Sequence, residues 1–465
     1  MIPVVRIASA NARVLMQHLF PGDGAEHGAV LGASTATAGD NLTFLVRRVF
    51  CAVDGRDYAR GPGGYSQLRA EFVRDKVLRC AEEGLSYLAV HNHGGDDTVG
   101  FSDIDMRSHE RGYPTLLQIC RGPVGALVFA RNAVAGDIWL SPADRIVLKK
   151  LTIVGKTLRV LRPQAQIRGG ILATHDRQAL LLGSEGQRVL ENLKVGIVGA
   201  GGVGSLLNEY LARLGVGQLI IVDPDRIEES NFSRIVGSER ADYKPPFWRK
   251  PTRKVDIAER IARQANPGIR FEKVFDDFRK PEVVSRFLDC DFLFLAADTM
   301  SVRLLFNQVV HQYLISGLVV GSKATTNPDD GSLQQVFSSV RSVGPNGGCL
   351  WCNGWITPHG LAEEAATPEI RRAGQYVDEP SVRAPSVITL NAVGAAYAAN
   401  VFLFAVTGAL HETDTDFYRF DALTGEMHET RRRVAADCEQ CVKRLGAGGS
   451  LPLTVLSGLR RGGAI

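Results

Sequence analysis

Lys194-Val195-Gly196-Ile197-Val198-Gly199-Ala200-Gly201-Gly202-Val203-Gly204-Ser205 decides the fold of the second half of the chain. The apolar run predicts a strand and the glycines Gly199, Gly201, Gly202 and Gly204 a tight turn. Residues 205–214 predict a helix whose N-terminus can hold a phosphate. Asp223 closes the next apolar run, about 20 residues on, where an acidic side chain accepts hydrogen bonds from ribose hydroxyls. Loop and Asp223 alone favour a dehydrogenase. The residues that follow change that reading: Asn231-Phe232-Ser233-Arg234, then Lys254, then Asp298 after the apolar run 292–297. Hydride transfer has no need of a guanidinium, an ammonium and a further carboxylate in this order, whereas phosphate chemistry does. Arg234 and Lys254 can neutralise triphosphate oxygens as pyrophosphate leaves, and Asp298 can hold a magnesium ion. The site reads as one that uses ATP to adenylate a carboxylate.

Two further constellations carry metal chemistry. Cys349-Leu350-Trp351-Cys352 and Cys438-Glu439-Gln440-Cys441 are Cys-x-x-Cys knuckles, and paired they would close a structural zinc site; a redox dithiol and surface thiols are the alternatives. Cys51, Cys80, Cys120 and Cys290 lie mostly in apolar runs and read as buried small hydrophobes. Near the N-terminus, residues 87–90 read as a strand, so the alternate residues His91 and His93 project together as it ends. Asp105, entering the next helix, supplies a third ligand, which leaves a fourth zinc position for water. In such a site Glu26 can take a proton from that water and the Ser102 hydroxyl can donate to an oxyanion. A pair of structural histidines beside an incidental Asp is the bland alternative. His27 and His109 have no matching role and read as surface or supporting residues.

From Asp176 to about Cys441 the motif set resembles the ThiF/MoeB and ubiquitin-activating adenylyltransferases. The resemblance implies a Rossmann-like domain, with Asp223 on the ribose, Asn231, Arg234 and Lys254 on the phosphates, and Asp298 on magnesium. It casts Arg177, in Asp176-Arg177-Gln178, as a finger reaching the ATP of the opposite protomer, and so implies a homodimer. It also implies that the paired knuckles pin the C-terminal segment to the body. Arg303 and Asn307 match the family pattern, with helix-surface roles as the alternative. Many activating enzymes carry a nucleophilic Cys in the crossover, and this chain has none between Cys352 and Cys438; Ser386 is a candidate by position alone, the alternative being a loop or cap serine.

Residues 1–140 resemble a JAB/JAMM metalloprotease, which implies cleavage of ubiquitin-like proteins at a C-terminal glycine. The chain departs from that pattern in having Gly94 after the second His and a loop 95–101 one residue longer than usual, which bears on where Ser102 stands.

The expected architecture is α/β: residues 1–140 form an α/β metalloprotease-like domain, 141–175 a linker carrying some structure, 176–445 the mainly parallel Rossmann-like domain, and 446–465 a weakly ordered tail. Residues 357–383 read as a crossover loop and 391–407 as a core or dimer-facing helix. At 465 residues, 45% hydrophobic and 22% charged, the chain has ample material for two cores. A net charge of +4 without a dominant basic run disfavours nucleic acid as partner, and no apolar stretch reads as long enough to span a membrane. No signal-peptide pattern opens the sequence, and zinc-ligating thiols point to the cytoplasm. The expected cofactors are ATP, magnesium and two zinc ions, one catalytic and one structural. The expected activity is bifunctional: ATP-dependent activation of a ubiquitin-like protein, coupled to its processing or removal, with a conjugating enzyme as a possible partner. Activation of a sulfur-carrier protein and a noncatalytic scaffold are the alternatives.

Overall fold

Side-chain alternation along one strand, Ser86–Asn92, sorts the interior of the first of two units in the computed structural model. Its Leu88 and Val90 join one apolar cluster, with Ala12, Leu15 and Leu19 of a helix, while Tyr87 and Ala89 join another on the opposite face, with Phe72, Val77 and Tyr113. The structure describes residues 1–60, 66–165, 173–327, 330–345, 347–366, 385–410 and 415–454. The first unit comprises Met1–Gly170, His311–Leu314 and Lys443–Pro452; the second comprises Ile171–Val310, Ile315–Val442 and Leu453–Ile465.

In chain order the first unit contains β1 (Ile2–Ala8), α1 (Ser9–Leu19), β2 (Gly28–Ala38), β3 (Asn41–Cys51), β4 (Tyr58–Arg60), β5 (Ser66–Leu68) and α2 (Ala70–Glu82). Then come β6 (Ser86–Asn92), α3 (Asp103–Cys120), β7 (Val124–Phe129), β8 (Val134–Ser141), β9 (Asp144–Val147), β10 (Lys150–Val154) and β11 (Leu158–Leu161). Nine of these strands make one mixed sheet in the order β11-β10-β1-β3-β2-β6-β7-β8-β9, and β4 pairs with β5. α1 covers one face; α2 and α3 cover the other.

The second unit contains α4 (Asp176–Glu191), β12 (Lys194–Val198), α5 (Gly202–Arg213), β13 (Gln218–Val222), α6 (Arg240–Tyr243), α7 (Lys254–Ala265), β14 (Arg270–Val274), α8 (Pro281–Val284) and β15 (Phe292–Leu295). It continues with α9 (Met300–Gln312), β16 (Ser316–Thr326), β17 (Leu333–Val343), α10 (Pro358–Ala365), α11 (Ile388–Val406), β18 (Thr415–Asp421) and β19 (Met427–Arg431). Its eight-stranded sheet runs β14-β13-β12-β15-β16-β17-β18-β19. The strands are parallel from β14 to β16 and antiparallel beyond. That is the mixed α/β, Rossmann-like architecture the alternating strand and helix signals predict.

Several expectations change. Of the stretch 141–175, residues 144–161 hold three strands rather than a linker: Leu148, Leu151, Leu158 and Leu161 are buried, and β10 pairs in parallel with β1. Of the expected tail, 446–452 belong to the first unit, where Gln312 Nε2 donates to the carbonyls of Gly448 and Leu451 at 2.6 Å each. Residues 166–172 and 455–465 lie outside the described residues. The expected crossover loop begins with a helix, α10, because Thr357 caps it by accepting from the Gly360 N–H at 3.1 Å; residues 367–384 are outside the described set. By length and a mean hydropathy of 1.5 alone, α11 is long and apolar enough to cross a membrane, but half of that apolar window is buried, in keeping with the core helix expected from the sequence. It packs on α5, β16 and β17.

Candidate functional site

The glycine loop occupies the turn between β12 and α5. Gly199 has φ of +101°, and a Cβ there would meet the Ala296 carbonyl oxygen at 3.0 Å, so both backbone conformation and space require glycine. Asp223, one residue past β13 and only 6% exposed, accepts from the Ala200 N–H at 2.8 Å through one carboxylate oxygen and from the Asp225 N–H at 2.9 Å through the other. Burial pushes its carboxyl above the usual value, opposed by Lys254 and the two N–H groups. The residue expected on the ribose thus also ties the glycine loop to the end of the next strand.

Lys254 opens α7, with Nζ 2.9 Å from Asp225 Oδ2 and 3.8 Å from Asp223 Oδ1. Asp225, which sequence reasoning missed, therefore orients this ammonium. Arg234 donates to the Ser230 carbonyl at 2.8 Å, and its stem lies beside Gly202, where a Cβ would stand 3.4 Å from Arg234 Cδ. Asn231 ends a single helical turn and accepts from the Glu228 N–H at 3.2 Å. The strand before Asp298 ends at Leu295 rather than Ala297, so Asp298 stands in the loop before α9; it is exposed, with no hydrogen bond or ion pair among the described residues. Arg177 is exposed on the first turn of α4, while its neighbour Gln178 is bonded to Gln187 Oε1 at 2.6 Å and the Leu214 carbonyl at 2.8 Å. The structure brings the loop, Asp223, Arg234 and Lys254 together.

Cys349, Cys352, Cys438 and Cys441 form one cluster, with ligand atoms within 4.8 Å of one another. Four thiols gathered across such a sequence gap suit a tetrahedral zinc site. Burial pushes the Cys352 thiol up to about 11, and the Cys349 hydrogen bond and burial raise Cys441 far above the thiol range. Asn307 is fully buried rather than on a helix surface. It donates to Cys349 Sγ at 3.6 Å and accepts from the Leu350 N–H at 2.9 Å, fixing the first knuckle.

In the first unit, β6 carries His91 on the same face as Tyr87 and Ala89, toward α3. His91 Nε2 lies 3.1 Å from His93 Nε2, and Asp105 oxygens lie 3.5 and 3.6 Å from the two rings. Glu26 Oε1 is 3.8 Å from His93 Nε2. Ser102 caps α3: its hydroxyl accepts from the Asp105 N–H at 3.2 Å and donates to Asp105 Oδ2 at 2.7 Å, so the expected oxyanion donor is here bonded to the carboxylate. Burial alone would raise the Asp105 carboxyl, but hydrogen bonds from His91 and Ser102 hold it well below the usual range. The donor set of two imidazoles and a carboxylate fits a zinc site with an open position. A cleft of about 360 Å³ adjoins it, lined by His93, Gly94, Gly100, Pro163 and Gln164.

Sequence reasoning missed Asn92. Pointing away from the two histidines, it is buried; its Oδ1 accepts from the His27 N–H at 2.6 Å and its Nδ2 donates to the Ala25 carbonyl at 3.2 Å, so it clamps Glu26 from both sides. A polar residue at an inward strand position was the available signal. His27 and His109 are buried rather than on the surface, His27 against Asp23 and His109 Nδ1 on Asp137 Oδ2 at 2.8 Å. Ser386 Oγ accepts from Asn391 Nδ2 at 3.2 Å, with no basic side chain bonded to it among the described residues.

The chain is similar to a SAMP-activating enzyme E1 of Haloferax volcanii, 35% identical over 128 residues, covering 28% of this chain and 45% of that protein. It is similar also to a sulfur carrier protein ThiS adenylyltransferase of Bacillus subtilis, 30% identical over 157 residues, 33% of this chain and 45% of that one. The chain thus spans about half the length of the curated relatives it matches. Among solved structures, E. coli MccB with ATP is 17% identical, covering 59% of this chain and 75% of that one, with a TM-score of 0.44. The model of the ThiF family matches residues 175–442, more than half the chain, and these span the glycine loop, Asp223, Lys254, Asp298 and both cysteine knuckles. The chain belongs to the ThiF family.

Proposed function

We propose that the second unit adenylates the C-terminal carboxylate of a small ubiquitin-like or sulfur-carrier protein. The observation that carries this reading is the arrangement around Asp223: one carboxylate bonded to the glycine loop, with Lys254 beside it and Arg234 along the first residue of α5. The relatives, an activating enzyme E1 for SAMP and an adenylyltransferase for ThiS, support the substrate class. The backbone N–H groups of α5 and the cations of Arg234 and Lys254 would hold the triphosphate, and Asp223 the ribose. The substrate carboxylate attacks the α-phosphorus, an O–P bond forms as the α–β bridging bond breaks, and pyrophosphate leaves with its charge met by Arg234 and Lys254. Asp298, an exposed carboxylate, suits magnesium, which when bound would neutralise phosphate charge. Arg177 with the exposed Leu180 and Leu181 on α4 supports a homodimer in which the guanidinium reaches the partner's nucleotide.

The first unit is read as a JAB/JAMM-like zinc peptidase that trims or removes the same protein. His91, His93 and Asp105 would hold the zinc, whose bound water would ionise near neutral pH. Glu26, 3.8 Å from His93, would accept a proton; Asn92 holds its segment, and Ser102 bonds to Asp105. Ser102 could meet an oxyanion only by releasing that bond.

The test is intact-mass analysis of glycine-terminated ubiquitin-like and sulfur-carrier proteins incubated with the chain and ATP. Adenylated carrier, or AMP release that requires the terminal glycine, supports the reading; absence of both across the panel refutes the substrate class. A thiocarboxylate product points to sulfur transfer and an amide conjugate to protein modification. Cleavage of a fusion after the terminal glycine, lost in Glu26→Gln with zinc retained, tests the peptidase.

A further inference from the structure

A polar cluster that the glycine-loop motif does not include stands against that loop. Asn391, on the first turn of α11 and 2% exposed, has its amide oriented by two serines: Ser322 of β16 donates to Oδ1 at 2.5 Å, and Nδ2 donates to Ser386 Oγ at 3.2 Å. Nδ2 also fills the space beside Gly202, the first residue of α5, where a Cβ would stand 2.5 Å from it. Glycine is needed there not for its φ but to admit this amide.

The electrostatics of this arrangement are informative. Ser322 draws the negative end of the amide dipole away, so its positive, donor end lies against the N-terminal turn of α5, itself the positive end of a helix. Like partial charges in a buried place raise the energy of the empty site, and an anion bound there reverses the sign of the interaction. Nδ2 carries two hydrogens, and Ser386 takes one. Arg234 lies along the same glycine from another side, with Cδ 3.4 Å from the position of a Cβ.

We infer that Asn391, oriented by Ser322, is a phosphate-side residue of the nucleotide site, turning a fixed amide donor toward the anion that α5 binds. This deepens the adenylylation reading above and rests on it. It also gives Ser386 a task other than nucleophile, that of orienting the amide at the head of α11.

The test measures binding of ATP with magnesium, and separately of adenosine, to the full chain by calorimetry, for the unmodified protein, Asn391→Asp and Ser322→Ala. Asn391→Asp keeps an acceptor for Ser322 and lets the Ser386 hydroxyl donate, but faces the phosphates with a negative charge. ATP affinity should fall on the order of a hundred-fold while adenosine affinity stays within about threefold. Ser322→Ala, which leaves Oδ1 without its donor and frees the amide to turn, should weaken ATP on the order of ten-fold and adenosine by no more than about threefold, with a melting temperature only a few degrees lower, and it decides the matter if the Asp variant does not fold. ATP binding equal to that of the unmodified chain, or an equal loss of ATP and adenosine, overturns the inference while leaving the adenylyltransferase reading intact. If the unmodified chain does not bind ATP at all, that reading fails and the inference with it.

Discussion

Asp223→Asn offers the sharpest test of how the nucleotide loop is held. The two carboxylate oxygens each accept a backbone N–H, from Ala200 at 2.8 Å and Asp225 at 2.9 Å. An amide has one oxygen, so one of those N–H groups must face an NH2, and at 6% exposure water cannot easily replace the lost acceptor. A buried donor left unpaired costs about 1–3 kcal/mol, and the surviving bond loses its charge assistance, about 1 kcal/mol. Against this, burial already raises the Asp223 carboxyl, so removing the charge returns part of the cost. Lys254 keeps Asp225 at 2.9 Å, so loss of its 3.8 Å neighbour weighs little. The net is about 2 kcal/mol, which for a domain of this size lowers the melting temperature of the second unit by about 4–8 °C. Scanning calorimetry of the full chain reads this, and ATP titration should show a further loss of about ten-fold from the ribose contact. A melting temperature within about 1 °C of the unmodified chain, with ATP affinity unchanged, would refute the double role of Asp223.

Three other outcomes follow from the geometry. Cys352→Ala should lower bound zinc, measured by metal analysis, by one ion per chain and destabilise the second unit, and Asn307→Ala should weaken that zinc site on the order of ten-fold in a chelator competition. Asn92→Ala should cost about 2–4 kcal/mol by freeing the His27 N–H and Ala25 carbonyl, and on the peptidase reading it should leave zinc binding intact while fusion cleavage falls, because Glu26 is no longer clamped. Asp137, with His109, Trp139 and Arg145 bonded to it, keeps a carboxyl below the usual value despite burial. A depressed carboxyl contributes stability that is full above its unfolded value and is lost as pH falls through the folded one. Asp137→Asn should therefore destabilise the first unit by about 3 kcal/mol at neutral pH, the difference from the unmodified chain shrinking as the pH falls below about 4.

The candidate site residues of the second unit stood out in the sequence because a glycine loop, an acid past the next strand and a basic helix start are local in sequence and obey backbone geometry. The histidine pair stood out for the same reason: period two along β6 puts His91 on the face of Tyr87 and Ala89, and His93, one residue past the strand's end, comes to lie beside it. What stayed hidden depends on pairing between distant segments. Asn92, Asn307 and Asn391 are buried amides whose partners, residues 25–27, Cys349 with Leu350, and Ser322 with Ser386, are set by tertiary packing. β10, the middle strand of 144–161, was missed because its register with β1 brings together residues about 150 apart, and β11 follows it as a local antiparallel neighbour. Ser102 shows the reverse: its place three residues before Asp105 is plain in the sequence, but the helix cap it makes with Asp105 decides where its hydrogen points.

ATP–pyrophosphate exchange by the purified chain, with glycine-terminated ubiquitin-like and sulfur-carrier proteins supplied one at a time, tests the central claim most directly. The account predicts exchange that requires the carrier's terminal glycine and falls by at least two orders of magnitude in Lys254→Ala and Asp298→Ala. Exchange undiminished in both variants, or ATP bound tightly with no carrier supporting exchange, would contradict it.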